Sequence, residues 1–346
     1  MNFSPFLGLS LFFATCAYGS APADVTPASA SIVSEWNIVD HVPFERVIVQ
    51  SHRGAGVLAE ENTVAAFELG WRLGTYPECD VRTTSDGVIV TFHDENFSRL
   101  VKNAKPELAK KGVKDLTYAE LEQLDVGAWK GAAFAGRRVS KLTDVFAEMR
   151  GRPERHFYVE PKSVDFLPQL ADAVHTYGVE RQIVFVSHWP ETIVAWKKIV
   201  PESDTLLWMR GSEAQLEKRL AALRKTNFAG ITQLQIHIFP NKSIEEALAI
   251  AGITPSKIQV SVAKAKDSAE PFTVSRGFII KLGRELRSHG ILFQTLPYTS
   301  DSSVYAQLLD LGVASFATDH PDVTMREIKQ YYARHGASLQ ATPVTR

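Results

Sequence analysis

Short apolar runs alternate with helix-like segments along most of this chain, and this alternation is the feature that most constrains its fold. Apolar residues recur at helical spacing in residues 142–150, 165–177, 190–199, 212–225, 275–289 and 301–311. Runs typical of strands lie at 47–51, 76–81, 156–160, 182–187, 204–209, 229–236, 291–296 and 313–318. Strands that alternate with helices of roughly ten to fifteen residues form parallel β-α units.

Eight such strands predict an α/β fold, specifically a closed (β/α)8 TIM barrel. No glycine-rich dinucleotide loop follows the first strand, so a doubly wound open sheet is disfavoured. A barrel of this type needs roughly 250 residues, and the chain has 346 residues, of which 45% are hydrophobic. We therefore predict a single barrel domain over residues 46–335, with a less regular stretch at 240–272 and a C-terminal tail at 336–346.

Residues 95–140 lack a strong strand-like run. They follow a predicted hairpin in which the strand at 76–81 is joined to a second one at 88–92 by Ser85-Asp86-Gly87. The segment contains a short amphipathic helix at 118–124. We interpret it as a loop excursion over the barrel mouth after the second strand.

The N-terminus differs from the rest of the chain. Residues 1–23 combine a short apolar stretch with small residues, which is typical of a signal peptide rather than of a spanning helix, although no Lys or Arg precedes the stretch. A disordered or anchoring N-terminus is the alternative. Residues 24–45 are rich in Pro, Ala and Ser and then irregular, which indicates an arm on the surface. We therefore expect an exported protein, periplasmic or secreted.

The charge balance limits the class of partner. The chain carries 38 Lys+Arg against 39 Asp+Glu, whereas a nucleic-acid binder needs a basic surface. Beyond the N-terminal stretch, no apolar run is long enough to span a bilayer. A small-molecule substrate is the expected partner, with neither nucleic acid nor a stable membrane span.

Three acidic residues are predicted to meet at the carboxyl ends of the strands, where the chemistry of such barrels takes place. Glu78 and Asp80 are two residues apart on the second strand, so they share one face while Cys79 points away. Glu160 ends the third strand. Converging carboxylates repel one another unless a hard cation neutralises them. Because the set contains no thiolate, Ca2+ or Mg2+ is favoured over zinc.

Two histidines and two basic residues complete the predicted site. His52 and Arg53 follow the first strand, His93 follows the hairpin strand, and Lys162 lies just beyond the third strand. A cation together with Arg53 and Lys162 makes a positive pocket suited to a phosphoryl group. One histidine can activate the nucleophile while the other protonates the departing alkoxide. These residues together predict hydrolysis of small phosphodiesters.

Five motifs occur in a fixed order: Ser51-His-Arg-Gly54, Glu61-Asn-Thr63, the run from Glu78 to Asp94, Val159-Glu-Pro-Lys162, and the end piece from Leu311 to Pro321. In this combination the chain resembles the glycerophosphodiester phosphodiesterase family, from about residue 47 to residue 325. Each motif alone would be weak evidence for this resemblance, but the ordered set is specific to the family.

The resemblance implies a barrel of the phosphatidylinositol-phospholipase-C-like kind. It also assigns three kinds of role: metal ligation by Glu78, Asp80 and Glu160, acid–base catalysis by His52 and His93, and substrate binding by Arg53, Lys162 and Glu61. The family's substrates, such as glycerophosphocholine, would yield glycerol 3-phosphate and an alcohol. Direct attack by water and a route through a cyclic phosphate both stay open.

Two acidic residues of these motifs also have structural interpretations. Glu61 precedes a predicted helix, so Glu-Asn-Thr also fits a helix cap, and a supporting role is favoured over direct ligation. Asp94 is expected to orient loop backbone rather than to react.

The chain departs from the family pattern on the side expected to hold the alcohol. Where a Trp-Thr-Val-Asn-like piece is usual, it has Phe293-Gln-Thr-Leu-Pro297, so the aromatic wall is missing or shifted to Phe293. Six residues near strand ends are candidates for the alcohol pocket, with lid packing as the alternative: Trp189, Trp208, Arg210, Gln235, His237 and Tyr298.

Two other functions stay open at this point. A lipid-directed phosphodiesterase, of lysophospholipase D or phospholipase C type, would need an apolar groove, for which the 95–140 excursion is the one candidate. A non-catalytic phosphate-binding barrel would be expected to have lost part of the ligand set, and the set is intact.

Overall fold

A computed structural model of the chain describes residues 32–241 and 270–340. The predicted signal peptide at 1–23 lies outside the described residues. So do the first part of the predicted arm, most of the less regular stretch at 240–272 and the end of the C-terminal tail.

Eight parallel strands form a closed ring, and a ninth strand lies outside it. The strands are β1 Val49–Ser51, β2 Tyr76–Thr83, β3 Ile89–Thr91, β4 Phe157–Pro161, β5 Ile183–Ser187, β6 Asp204–Met209, β7 Gln233–His237, β8 Leu292–Leu296 and β9 Ser315–Thr318. β1 pairs with both β2 and β9, which closes the ring, whereas β3 pairs antiparallel with β2. The predicted (β/α)8 barrel is confirmed.

The helices of the described residues are α1 Val64–Arg72, α2 Pro106–Ala109, α3 Tyr118–Leu121, α4 Leu142–Met149, α5 Leu167–Tyr177, α6 Pro190–Ile199, α7 Glu213–Lys225, α8 Arg276–Ser288, α9 Ser302–Asp310 and α10 Pro321–Gln340. Most of them lie between successive strands of the ring, whereas α2 and α3 belong to the 95–140 segment and α10 follows the last strand. Local sequence fixes several starts: Thr63, Ser212 and Ser275 each accept a hydrogen bond from a backbone N–H in the first turn, as helix N-caps do.

The start of β7 differs most from the predicted one. The sequence favours a strand over 229–236, but β7 begins at Gln233. Asn227, Phe228 and Gly230 have φ angles of 49°, 53° and 75°. This left-handed turn after α7 is incompatible with an extended strand, and apolar content alone does not reveal it.

The barrel has an apolar outer layer and a partly polar interior. Outward-facing residues such as Val159, Phe185 and Leu234 pack into the main hydrophobic core with the helices. Inside the ring, Gln235 donates to Gln50 (3.2 Å) and also to Gln294. This alternation follows from the period of two along a strand, and it places hydrogen-bonding side chains below the mouth of the barrel.

The segment at 95–140 follows β3 and has a small apolar cluster of its own, formed by Phe97, Leu100, Val113, Leu121 and Val126 together with β3 residues. At the other end of the fold, Tyr332 on α10 donates to the carbonyl of Val42 (2.6 Å), and the short turns at Ile38–Asp40 and Phe44–Arg46 lie against α10. Within 32–241 and 270–340, no helix combines the length and the apolar character needed to cross a bilayer.

Candidate active site

The three predicted acidic residues meet at the carboxyl end of the barrel. Asp80 on β2 is in register with Glu160 on β4, and the ligand oxygens of Glu78, Asp80 and Glu160 all lie within 4.8 Å of one another. Glu78 and Asp80 are 2% and 1% exposed. Cys79 packs into the outer core instead. The i, i+2 spacing therefore separates the side chains as the sequence predicts.

One oxygen of this cluster is buried without a partner. Glu78 accepts a hydrogen bond from the backbone N–H of Arg53 through Oε2 (2.8 Å), but its Oε1 has no hydrogen-bond partner among residues 32–241 and 270–340. A buried polar atom without a partner is costly. Oxygen-only donors, one of them unsatisfied, fit a hard divalent cation, so these residues could hold one.

The charges in the cluster are strongly perturbed. Burial, together with the charges of Asp80 and Glu160, raises the pKa of Glu78 to about 8. Burial also acts to raise the pKa of Asp80, but Lys162 at 2.6 Å and Arg53 at 3.6 Å hold it well below its usual range. The basic neighbours of Asp80 therefore keep it ionised, whereas Glu78 needs an additional positive charge nearby to ionise at neutral pH.

Each predicted histidine has its own carboxylate partner. Nδ1 of His52, just after β1, lies 2.7 Å from Oδ1 of Asp319, and Nδ1 of His93 lies 2.6 Å from Oδ1 of Asp94. Burial acts to lower the pKa of His52, but the charge and hydrogen bond of Asp319 outweigh it and the pKa is raised. Both rings line the cavity. With Nδ1 engaged, Nε2 is the nitrogen left for a ligand.

The role predicted for Asp94 is wrong. Its carboxylate does not orient loop backbone but contacts the ring of His93 and the guanidinium of Arg99, at 2.7 and 2.8 Å. A carboxylate adjacent to a histidine in sequence can reach that ring, which the motif alone does not distinguish from a backbone cap.

Glu61 lies among arginines. It accepts from Arg53 at 3.0 Å and from Arg99 at 2.6 and 2.7 Å. The N-cap of α1 is Thr63, whose Oγ1 accepts from the N–H of Ala66. The Glu-Asn-Thr motif therefore does cap the helix, but through Thr63, whereas the contacts of Glu61 hold Arg53, whose φ of 53° is left-handed, over the acidic cluster.

Sequence reasoning missed several residues of the site. Asp319 follows β9 directly, and its position at a strand end was an available signal. Arg99, Trp129 and Lys130 come from the 95–140 excursion and line the cavity. Two cations lie near the ring of Trp129, Arg99 at 5.5 Å and Lys130 at 5.6 Å from its centroid. No local pattern marks these three.

The opposite wall of the cavity is built by β6, β7 and β8. The cavity measures about 690 Å³ and includes, on this side, Trp208, Arg210, Gln235, His237 and Tyr298. Two sequence expectations fail here. Trp189 does not line the cavity and is 54% exposed. Phe293 points into the outer core, so the aromatic wall has not shifted to it.

Residues 52–323 match the model of the glycerophosphoryl diester phosphodiesterase family. The chain belongs to this family. The glycerophosphodiester phosphodiesterase of Bacillus subtilis is 24% identical over 316 residues, which cover 89% of this chain and 93% of the relative. A relative of the same name from Caldanaerobacter subterraneus is 33% identical over 162 residues, 45% of this chain and 64% of that protein.

Solved structures of phosphodiesterases share the fold. A putative glycerophosphoryl diester phosphodiesterase from Silicibacter pomeroyi has a TM-score of 0.60 at 19% identity, covering 82% of this chain and 93% of its own. An Oleispira antarctica phosphodiesterase, solved with its product sn-glycerol-3-phosphate, has a TM-score of 0.56 at 20% identity, covering 82% and 96%. The enzyme class predicted from the sequence, a glycerophosphodiester phosphodiesterase, is confirmed by the family and by these named relatives.

Proposed function

We propose that this enzyme hydrolyses soluble glycerophosphodiesters to glycerol 3-phosphate and an alcohol, with one divalent cation and two histidines. The observation that carries the proposal is the unpartnered oxygen of Glu78 within an acidic cluster that shares one cavity with His52 and His93. The Oleispira relative was solved with sn-glycerol-3-phosphate as its product.

Glu78, Asp80 and Glu160 would hold the cation, either Ca2+ or Mg2+, since all three offer oxygen. When bound, the cation neutralises the cluster and polarises a phosphoryl oxygen. Arg53 and Lys162 add positive charge beside it. Their ion pairs with Asp80 fix them in position, so that the phosphate meets groups already arranged for it.

The histidines supply proton transfer. Asp319 and Asp94 hold the two rings at Nδ1, so each Nε2 can exchange a proton with substrate. One ring takes the proton of the nucleophile and the other donates a proton to the leaving alkoxide. Water and a neighbouring hydroxyl of the substrate are both open as nucleophiles. A diester that lacks that hydroxyl separates them, since only direct attack by water would still cleave it.

The test is release of glycerol 3-phosphate from purified enzyme treated with EDTA and then supplied with Ca2+ or Mg2+. We expect activity to be lost on chelation and recovered when metal is added. We also expect the activity of His52→Ala and of His93→Ala to fall at least a hundredfold, in line with roughly 10²–10⁴-fold for acid–base catalysis. His175→Ala is the matched control, because that histidine is exposed and outside the cavity. Full activity in EDTA after exhaustive dialysis would contradict the proposal.

The two alternatives are outcomes of the same assay. Activity confined to lipid aggregates would favour the lipid-directed enzyme, although the excursion presents Arg99, Trp129 and Lys130 to the cavity rather than an apolar groove. Absence of activity with every metal would favour the non-catalytic barrel.

We also propose that the protein is exported. The support is the apolar stretch and the small residues within 1–23. Sequencing of the mature N-terminus after expression in a bacterium tests this: a start near residue 24 in the periplasm or medium is expected, and an intact Met1 in the cytoplasm would contradict it.

A further inference from the structure

The wall built by β6, β7 and β8 carries a cation that the phosphate site does not use. Arg210 follows β6, lines the cavity and is exposed. Within the described residues it forms no ion pair with a carboxylate, whereas Arg53, Arg99 and Lys162 all do. Its guanidinium lies 5.9 Å from the ring centroid of Trp208.

The rest of this wall is neutral and able to form hydrogen bonds. Burial and the charge of Arg210 lower the pKa of His237 to about 3, so its ring is uncharged. Its Nε2 lies 3.1 Å from Oε1 of Gln235. Since the amide nitrogen of Gln235 is turned to Gln50 and Gln294, Nε2 of His237 is the donor and Nδ1 is left as an acceptor.

Tyr298 completes the wall and is held in a strained conformation. Its φ is 47°, which is unusual for a bulky side chain and is found mostly where the surroundings enforce it, often at functional sites. Its hydroxyl reaches Nδ1 of His237 only at 3.5 Å, a distance too long for a strong hydrogen bond. Tyr298 lines the same cavity as Asp319, Arg53 and Glu160, which places it beside the phosphate site.

The aromatic rings of the wall already pack against other groups. The ring of His237 stacks on Trp208 with 5.1 Å between their centroids, and the ring of His188 lies 5.0 Å from that of Trp208. Phe239 stacks on Tyr298 at 5.2 Å. A quaternary ammonium group needs free aromatic faces. Here such a group would meet rings that already pack against other rings, and a guanidinium of its own sign.

From this arrangement we infer that Arg210 is a specificity-determining residue that selects diesters whose alcohol group carries a second anion, a phosphate or a carboxylate. The guanidinium is suited to such oxyanions, and the hydroxyl of Tyr298 and Nδ1 of His237 can contact the hydroxyls of the same group. A choline-type alcohol is disfavoured. The inference rests on the proposed function, since the wall acts only on a diester bound at the neighbouring phosphate site.

Three diesters with the same glycerol phosphate half test it: glycerophosphoinositol 4-phosphate, glycerophosphoinositol and glycerophosphocholine. With metal-loaded enzyme we expect kcat/KM to fall in that order. Arg210→Gln should lower kcat/KM for glycerophosphoinositol 4-phosphate by roughly five- to tenfold. It should leave kcat/KM for glycerophosphoinositol within about twofold and raise it slightly for glycerophosphocholine. The preference for the first should weaken in high salt.

Lys218→Gln is the matched control, since Lys218 is an exposed cation outside the cavity and its substitution makes the same charge change. Equal kcat/KM for the three diesters would overturn the inference and leave the proposed function intact. So would an equal loss on all three in Arg210→Gln. If no diester is cleaved with any metal, both the inference about Arg210 and the proposed function fail.

Discussion

Replacing Glu78 by glutamine should make the metal-free enzyme more stable at about pH 8 than the wild type, although the substitution removes a proposed metal ligand. The folded protein raises the pKa of Glu78 from 4.5 to about 8. A folded-state pKa above the unfolded value means that the native protein binds the proton more tightly. Its contribution to stability is therefore complete below about pH 4.5 and is lost as the pH rises to about 8.

The size of the effect follows from the same values. A tenfold change in proton affinity corresponds to about 1.4 kcal/mol, so the metal-free wild type should lose up to roughly 5 kcal/mol of unfolding free energy through Glu78 over this range. Glutamine keeps an oxygen for the N–H of Arg53 and places an amide where Oε1 has no partner. It has no charge to bury, so Glu78→Gln should lack this loss.

Urea unfolding in EDTA, from about pH 5 to about pH 9, measures the effect as the difference between the two proteins, which cancels the titrating groups that do not interact with Glu78. Ca2+ or Mg2+ should stabilise the wild type at high pH and leave the variant nearly unchanged. Glu107→Gln serves as control, because that carboxylate is exposed. A difference between wild type and Glu78→Gln that does not change with pH would refute the reasoning.

Three further predictions concern the partners of the site and the core. Asp319→Asn should move the titration of His52 in the pH profile of kcat/KM to lower pH, because Asp319 raises the pKa of that ring; an unmoved profile would contradict it. Arg99→Ala should lower kcat/KM by roughly tenfold or more with unchanged circular dichroism, because Arg99 holds Glu61; unchanged kinetics would argue against this role. Trp196→Ala, at a fully buried position, should reduce the unfolding free energy by about 3–5 kcal/mol, as measured in urea, and a loss below 1 kcal/mol would count against close packing there.

The sequence predicts the ring of strands and the acidic cluster for a physical reason. Helical and strand periods differ, so alternation is visible in one sequence, and i, i+2 spacing puts Glu78 and Asp80 on one face without any knowledge of the fold. Parallel strands then bring Glu160 to the same edge. These inferences need only local geometry and the topology of a barrel.

What the sequence does not predict depends on long-range packing or on backbone conformation. Arg99 reaches Glu61 from a loop with no repeating pattern, and the aromatic wall assembles from three strands rather than from Phe293. The late start of β7 results from a left-handed turn at Phe228, a conformation that propensity does not anticipate.

The two residues of one ion pair, His52 and Asp319, lie near opposite ends of the barrel sequence. Asp319 comes 267 residues after His52 and directly follows β9, the strand that pairs with β1. A polypeptide that ends before β9 would therefore have neither a closed ring of strands nor the carboxylate that contacts the ring of His52. Recovery of turnover during refolding should thus require closure of the ring by β9, a step that far-ultraviolet spectra, dominated by the helices, would register only weakly.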